Sequence, residues 1–546
     1  MDDTKGSDRL SRSTISILVL FLLVSIFLTT DSYCQSSAKR KLVLDKIAAS
    51  QGPPYFAVIA SQLKTGTNKE IAFAKLDTLL SLEKGDMFWM YGCVGLYYSC
   101  RTELPDRYKI KIRECWKKCT PYRGDTENHF LMYYGSLYLM SQEWPGLSGS
   151  EWFTGKSSDE IHNESREYLR HWIDEVSTVG MMEFDSPRYM YYFITPLVLL
   201  AEYTRDAEDK RLFTMTLELM LADYAHDYYF GNYAGAHSRV GFDTPFDTRN
   251  AETSSYGDLY FEENITHFLP DIAFAAMASF SCPEIIKNIA TKKTYPFESI
   301  EMKRGRTTLR YTYERNAVVT KKLYATKDYA LGSMQGGLVS PIQQQSWSLV
   351  INTPKANNVI TGLHPFIAKE ELGMFFPEEP SWQLERIEGA KKGYSSDDKW
   401  VGGTPFDNIS QDKNMLSASY QKIIKKIRSQ KIAFRLPKWA VVTVEGDAMI
   451  SAQCEGVKVK VNLPSGYRKI DEEDSYRFEA DVTGGSASYA VTCPEVVGAR
   501  SSFLGGGDYL YNSDYIHSER GSGVIALEFG NKKRVLDFKK ILVSEE

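Results

Sequence analysis

The stretch TENHFLMYY at residues 126–134 sets polar side chains directly before an apolar helical pattern. A residue at its start, Asp125 or Thr126, is a suitable N-cap because its short side-chain oxygen accepts from amides that the first helical turn leaves unpaired. Apolar residues then recur at spacings of three and four, which is typical of a helix buried along one face. The stretch therefore predicts a helix whose first turn carries Asn128 and His129, beside free amides that attract an anion.

The same periodicity continues through the first half of the chain, from about residue 35 to residue 282. Helix-like segments follow one another with short connections, which is typical of paired helical hairpins. Such hairpins form a bundle, a solenoid or a closed toroid. Periodicity does not choose among these three arrangements.

The residue pattern changes in the second half of the chain, from about Lys292 onward. Its apolar segments are short, rich in β-branched and aromatic residues, and bounded by Gly, Pro, Asn and Asp, which predicts strands of an antiparallel sandwich. Residues 382–412 are polar and glycine-rich and predict a long surface excursion. We expect a helical domain at 35–290, a β domain at 291–500, and strands at 501–546 that close the β domain.

The first 34 residues are typical of an export signal. Three basic residues precede an apolar run at 15–28, and small and polar residues follow it. We predict cleavage before Gln35, with an uncleaved anchor or acylation at Cys34 as the alternatives. The mature protein is then expected to be secreted or periplasmic, or held at the surface, without stable insertion in a membrane.

The composition argues against several classes of partner. Lys and Arg number 65 against 70 Asp and Glu, so no strong electrostatic field favours nucleic acid or an anionic membrane. The chain has 34 Tyr, 27 Phe and 9 Trp, which suit large cores and clefts in which sugars stack. No zinc-type spacing of cysteines occurs, and we predict neither a metal nor a cofactor. The oligomeric state is not predicted.

A second polar stretch, EFDSPRY at residues 183–189, also predicts the start of a helix. Ser186 is a suitable cap, and Pro187 suits the first helical position, where its missing amide costs nothing. Arg188 and Tyr189 are therefore expected in a first turn. If the starts of these helices share one rim, Tyr189 meets the first turn of the helix that begins at residue 127.

A third polar stretch, GNYAGAHSR at residues 231–239, is rich in glycine, which lets a backbone approach a ligand closely. His237 and Arg239 are expected to face outward from it. In the alternative interpretation, these two side chains only hold a loop in place. Likewise, Asn128 would be no more than a second cap, and His129 a first-turn histidine without a role in catalysis.

Taken together, these features resemble the polysaccharide lyases of the heparinase II/III and alginate lyase type. The resemblance rests on an exported chain with a helical half and a β half, an Asn-His pair at a helix start, and a Ser-Pro-x-Tyr segment about 60 residues later. It implies an α/α toroid followed by an antiparallel β-sandwich. In that group the Asn-His pair and the later tyrosine line the cleft, which carries over to Asn128, His129 and Tyr189. For a further histidine of such lyases, His237 is the first candidate and His364 the second.

The chemistry that the resemblance implies is β-elimination on a uronic-acid-containing polysaccharide. Donors such as Asn128 would neutralise the sugar carboxylate, and His129 or Tyr189 would take the proton from C5. Candidates for substrate binding are Glu127, Arg188, Tyr192, Arg239 and His364.

Two other functions fit the sequence as well. A glycoside hydrolase on a helical toroid would need two carboxylates flanking the bond, for which Glu127, Glu183 and Asp185 are available. A non-catalytic glycan-binding surface protein would instead have the polar stretches buried and hydrogen-bonded to one another.

Overall fold

The computed structural model of the protein describes residues 37–81, 85–118, 123–124, 126–152, 154–240, 246–305, 317–336, 344–365, 400–401, 407–421, 431–446, 448–464, 466–482, 486–494 and 508–546. The predicted export signal lies outside these residues, as does most of the predicted excursion. The end of that excursion, Asp407–Asp412, is a strand, so the prediction is wrong there.

Helices make up the first part of the described chain. They are α1 (37–48), α2 (Phe56–Thr65), α3 (Lys69–Leu79), α4 (Met87–Ser99), α5 (Asp106–Lys118), α6 (Glu127–Glu143), α7 (Ser158–Val179), α8 (Tyr191–Tyr203), α9 (Ala207–Asp227), α10 (Ser254–Tyr260), α11 (Ile272–Met277) and α12 (Glu284–Thr291). Helix α4 is buried on nearly every side, whereas α7 buries a single stripe, so α4 is an inner helix and α7 an outer one.

The inner helices form a closed ring. Helix α2 packs on α4, α4 on α6, α6 on α8 and α8 on α11, and α11 returns to pack on α2. The outer helices α3, α7 and α9 each pack on an inner neighbour. The contact between α11 and α2 closes the ring, and it distinguishes a toroid from a bundle or a solenoid. The predicted α/α toroid is therefore confirmed.

Strands follow the helices, apart from one short hairpin after α9. They are β1 (Tyr228–Tyr229), β2 (Asn232–Tyr233), β3 (Phe297–Gly305), β4 (Ala317–Ala325), β5 (Tyr329–Gln335), β6 (Trp347–Ile351), β7 (Val359–Pro365), β8 (Trp400–Val401), β9 (Asp407–Asp412), β10 (Met415–Gln421), β11 (Lys431–Pro437), β12 (Val441–Glu445), β13 (Met449–Cys454), β14 (Val457–Asn462), β15 (Arg468–Asp471), β16 (Ser475–Asp481), β17 (Ser486–Thr492), β18 (Tyr509–Asn512), β19 (Ile516–Glu519), β20 (Val524–Phe529), β21 (Lys532–Asp537) and β22 (Leu542–Glu545).

Two antiparallel sheets form the predicted β-sandwich. A 14-stranded sheet has the order β15-β16-β11-β7-β6-β5-β4-β3-β18-β19-β20-β21-β22, with β8 on β7, and a six-stranded sheet has the order β12-β13-β14-β17-β10-β9. Because side chains alternate along a strand, Leu349 and Ile351 of β6 enter the core between the sheets, while Val350 enters the core shared with the helices. The large sheet therefore packs on the small sheet with one face and on the toroid with the other.

The last five strands extend the large sheet along the toroid. Strand β18 pairs with β3, and β20 packs on α7 and α12. Among the described residues, no helix is both long enough and apolar enough to span a bilayer.

Candidate active site

The starts of the inner helices meet at one rim of the toroid. Contacts between their first residues show that these helices begin at the same end of the ring. The Tyr55 hydroxyl, at the start of α2, donates to Asp271 Oδ2, at the start of α11, over 2.8 Å. The Phe88 ring of α4 meets the rings of His129 and Tyr192 edge to face, at 5.4 and 5.6 Å. Tyr55 is 39% exposed and Phe88 41%, so this rim is open to solvent.

We use the name rim cleft for the surface formed by Tyr55, Phe88, His129, Tyr189 and Tyr192. The Tyr189 ring lies 6.4 Å from the Tyr192 ring, which places it at the same opening. His129, Tyr189 and Tyr192 are all partly exposed. Two helix starts that the sequence singled out therefore contribute to one partly exposed surface.

Helix α6 is capped by a carboxylate from a distant segment. Thr126 occupies the N-cap position, but its side chain makes no cap hydrogen bond to the backbone. Instead, the backbone amide of Asn128 donates to Glu183 Oε2 over 3.0 Å. A carboxylate at a helix N-terminus is favoured by the helix dipole. The expected cap by Thr126 is thus wrong, Asp125 lies outside the described residues, and the segment before α8 supplies an acceptor.

Asn128 holds this junction together from a fully buried position. Its Nδ2 donates to Glu183 Oε2 over 2.5 Å and to Thr126 Oγ1 over 3.2 Å, which uses both amide hydrogens. Its Oδ1 is buried and has no hydrogen-bond partner in the part of the chain that the structure describes. This placement is at odds with the expected direct donation to a substrate carboxylate, and it favours a positioning role.

Arg239 joins Glu183 to Tyr189. Its guanidinium pairs with Glu183 Oε1, and its Cζ lies 3.8 Å from the centre of the Tyr189 ring. Burial raises the pKa of Glu183, but the charge of Arg239 and the hydrogen bonds from Asn128 outweigh burial and hold that pKa below its ordinary value. Glu183 is therefore an ionised link between the start of α6 and the tyrosine.

Tyr189 lies in a turn before α8 and not in the first turn of the helix. The Tyr189 amide donates to Ser186 Oγ over 2.9 Å, so Ser186 does act as a cap. The amide of Tyr192 bonds to the Tyr189 carbonyl three residues back, a tighter spacing than that of an α-helix, and α8 begins only at Tyr191. The predicted start at Pro187 is therefore wrong by four residues.

Glu127 is a structural residue in this arrangement. Its carboxylate is buried and accepts from Trp172 Nε1 over 2.9 Å and from the amides of Met182 and Glu183 over 3.0 and 2.8 Å. It ties α6 to α7 and to the segment that carries Tyr189. The expected contact with substrate is at odds with this burial.

His237 is buried, so the expectation that it faces outward is wrong. Its Nδ1 donates to the Asp185 carbonyl, and its backbone pairs with that of Gln345. Burial, followed by the charge of Lys321, lowers the pKa of His237 to about 4. Its Nε2 is buried without a hydrogen-bond partner among the described residues. A neutral imidazole here braces the segment that leads to Tyr189.

The remaining candidates differ in their accessibility. Arg188 is partly exposed, and its Nε lies 3.1 Å from Glu252 Oε1. Tyr192 belongs to the rim cleft, and burial raises its pKa above the ordinary value. His364 lies in β7, and its side chain is outside what the structure describes.

A buried ion cluster lies beneath the Tyr189 segment. It consists of Asp185, Asp223, His226, Asp227, Glu301, Lys303 and Lys321. Lys321 Nζ contacts Asp185 and lies 2.7 Å from Asp227 Oδ2, while Lys303 Nζ lies 2.5 Å from Asp223 Oδ1. Buried charges are tolerated only when they are paired, so lysines of the β domain support Asp185 of the helical domain.

The same cluster includes two groups of side chains with spacing suited to a metal ion. They are His226, Asp227 and Glu301, and Asp185, Asp223 and Glu301. The ammonium groups of Lys303 and Lys321 already contact these carboxylates. The positive charge that the carboxylates need is therefore supplied by the protein itself.

Sequence reasoning missed several residues of the site. Phe88 could have been found from the sequence, because it lies two residues after Asp86, the residue that caps α4. It is therefore in the first turn of its helix, as His129 is in the first turn of α6. Asp271, Lys303 and Lys321 gave no such signal, since their positions in the site depend on packing between distant segments.

Comparisons with known proteins find a remote likeness among solved structures. No protein-family model matches the chain, and no curated protein sequence matches it either. Among solved structures, the chain is similar to a chondroitin AC lyase of Streptomyces coelicolor A3 in complex with chondroitin sulphate, with 9% identity and a TM-score of 0.39 over 92% of this chain and 88% of that one. The assignments below rest on this chain's own residues.

Proposed function

We propose that the protein cleaves a uronic-acid-containing polysaccharide by β-elimination in the rim cleft. The observation that supports this most is the placement of Tyr189 under the Arg239 guanidinium, in an open groove that also holds His129. A phenol, an imidazole and a guanidinium are the groups that elimination next to a carboxylate needs.

The reaction removes the proton at C5 and breaks the bond from C4 to the glycosidic oxygen, so that a C4–C5 double bond forms. Arg239 and Arg188 would meet the sugar carboxylate and stabilise the enolate-like transition state, and each well-placed donor supplies about 3 to 4 kcal/mol. His129 or Tyr189 takes the C5 proton, and Tyr189 returns one to the leaving oxygen. Positioned proton transfer adds roughly 10² to 10⁴ in rate.

The aromatic rim suits a sugar chain. Phe88, Tyr55 and Tyr192 present rings at the opening, on which pyranose faces stack. The substrate class is an acidic polysaccharide, and alginate, heparan-type, chondroitin-type and algal sulfated uronans are the candidates. The export predicted from residues 1–34 agrees with a polysaccharide substrate that lies outside the cell.

Hydrolysis is less well supported by the same geometry. The three carboxylates available for it, those of Glu127, Glu183 and Asp185, are all buried and all engaged in hydrogen bonds or ion pairs. Hydrolysis needs two carboxylates that reach the glycosidic bond from opposite sides. A protein that only binds glycans was expected to have the polar stretches buried and hydrogen-bonded to one another, and Glu127, Asn128, Glu183 and His237 do fit that alternative. The experiment below distinguishes it from a lyase.

The test is to incubate the protein with the four polymers and to measure two quantities. Elimination gives an unsaturated uronate that absorbs in the ultraviolet together with new reducing ends, hydrolysis gives reducing ends without that absorbance, and a binding protein gives neither. We expect both signals with at least one polymer. Reducing ends without absorbance, or no cleavage of any of them, would refute the proposal.

Variants then assign the roles. We expect His129→Ala and Tyr189→Phe each to lower elimination by 10² or more while the unfolding temperature stays close to that of the wild type. The matched controls are His171→Ala, an exposed histidine of α7, and Tyr467→Phe, a half-buried tyrosine of the β domain. Full activity in either test variant would remove that residue from the mechanism.

A further inference from the structure

A short hairpin after α9 carries an aromatic residue in an unfavourable backbone conformation. Phe230 and Gly231 connect β1 to β2, and both have positive φ, 46° and 82°. A two-residue turn with this geometry prefers Asn, Asp or Gly at both positions, and a bulky residue with positive φ is an outlier. Such strain is retained where the side chain has a use that offsets it.

The Phe230 side chain is also exposed. It is 49% accessible to solvent, although one face of its ring stacks on Tyr295, with 5.7 Å between ring centres and an angle of 25° between the planes. The stack fixes the orientation of the ring and leaves its other side open. A rigid, exposed aromatic ring is the usual platform for the apolar face of a sugar.

Phe230 borders an open cavity of about 660 Å³. The cavity lies between the hairpin, the loop after α10 and helix α12, and its size suits one or two sugar units. Lys287 of α12 and Lys292, the residue after that helix, line it, and neither makes an ion pair within the described residues. These two ammonium groups are therefore available to a ligand.

Charges of both signs line the cavity, with carboxylates from Asp258, Glu262, Glu263 and Glu284 and positive charges from Arg249, Lys287 and Lys292. Asp258 is already occupied by donors from Thr266 and His267, and Glu262 accepts from the Tyr228 hydroxyl. Lys39 adds a third ammonium beside Lys287, and burial, followed by the charge of Lys287, lowers the pKa of Lys39 to about 8.

Glu284 lies at the opposite end of α12 from Lys292, about 12 Å away at 1.5 Å per residue. The same carboxylate is only one helical turn from Lys287, so Lys292 is the ammonium group that lies away from it.

We propose that this cavity is a second carbohydrate-binding site, which takes a sugar unit of an acidic polysaccharide. Phe230 stacks on the sugar ring, and Lys287 and Lys292 bind its carboxylate or sulfate. The substrate class rests on the proposed function. Arg249 of the cavity wall is three residues from Glu252, whose carboxylate pairs with Arg188, the residue before Tyr189 of the rim cleft. In this proposal a single long polymer chain reaches both sites.

The test measures binding in a Tyr189→Phe background, so that the polymer is not consumed. The probes are alginate, heparan sulfate and chondroitin sulfate, with neutral dextran as the negative control. Added to this background, Phe230→Asn should weaken binding of at least one acidic polymer tenfold or more and leave the unfolding temperature unchanged or raised, because Asn suits the left-handed position. The pair Lys287→Ala and Lys292→Ala should weaken binding similarly, whereas Lys458→Ala with Lys460→Ala, two exposed lysines of β14, should not.

Activity supplies the second measurement. With Tyr189 intact, Phe230→Asn should raise KM for the long polymer and leave kcat on a tetrasaccharide within twofold of the wild type. Unchanged polymer affinity in Phe230→Asn, or no binding of any acidic probe by the background protein, overturns the proposal. Binding that depends on Phe230 in a wild type that shows no elimination would refute the proposed function and leave the second site standing.

Discussion

Asp271 offers a direct test of the energetics at the rim cleft. Its carboxylate is buried at the start of α11 and accepts from the hydroxyls of Tyr55 and Tyr91. Its Oδ1 is buried with no hydrogen-bond partner in the described part of the chain. Burial raises the pKa of Asp271 from 3.8 to about 6, and the tyrosine hydroxyls offset only part of this effect. The charged form is therefore costly in the folded protein.

The sign and the size of the effect follow from linkage. The folded-state pKa lies above the unfolded value, so the stability that Asp271 contributes is complete below pH 3.8 and is lost as the pH rises through about 6. Each pKa unit corresponds to 1.36 kcal/mol, so the loss is about 3 kcal/mol. At pH values well above 6, the folded wild type is therefore less stable by this amount than it would be with a neutral Asp271.

The substitution Asp271→Asn replaces the carboxylate by a neutral group of the same shape. We expect the free energy of unfolding of the variant, minus that of the wild type, to rise by about 2 kcal/mol between pH 4 and pH 7, because at pH 4 part of the unfolded carboxyl is already ionised. Any constant cost of the new amide cancels in this comparison. The assay is denaturant unfolding of both proteins at several pH values. Parallel stability profiles for the two proteins would refute the argument.

Two further substitutions test how the domains are joined. Lys321→Met removes the ammonium that Asp185 and Asp227 share, and we expect it to lower the free energy of unfolding by about 3 to 5 kcal/mol. The control, Lys458→Met on the exposed face of β14, should lower it by less than about 0.5 kcal/mol. Equal losses in the two variants would contradict the pairing. Gly332→Ala places a methyl group against the Gly235 backbone and should lower the unfolding temperature, whereas Gly456→Ala meets nothing within 4 Å and should have a smaller effect.

Much of the local structure follows from the sequence alone. Helix α7, Ser158–Val179, lies within the region predicted to be helical, and its capping box at Ser157 and its three-four apolar spacing both act between residues a few positions apart. Strand β14 alternates buried and exposed residues along its length, as the period of a strand requires. These signals are local, so one sequence is enough to detect them.

The candidate site was predicted in part. The start of α6 does meet the Tyr189 segment, as expected of two helix starts on one rim. The burial of Glu127 and His237 fits the alternative interpretations of the sequence and not the expected contacts with substrate, and the capping of α6 by Glu183 was not foreseen. Outward or inward orientation at these positions depends on which segment covers them: Trp172 covers Glu127, and the segment before β6 covers His237.

The sequence by itself determined the order of helices and strands, the caps, and the residue types available for chemistry, because each of these depends on neighbours a few positions apart. Only the tertiary structure decided that α11 closes the ring on α2, that the large sheet seals the ion cluster under Asp185, and that Arg239 lies over Tyr189. These contacts join segments about 50 to 220 residues apart, and their free energy comes from burial and charge pairing that exist only once the chain has folded.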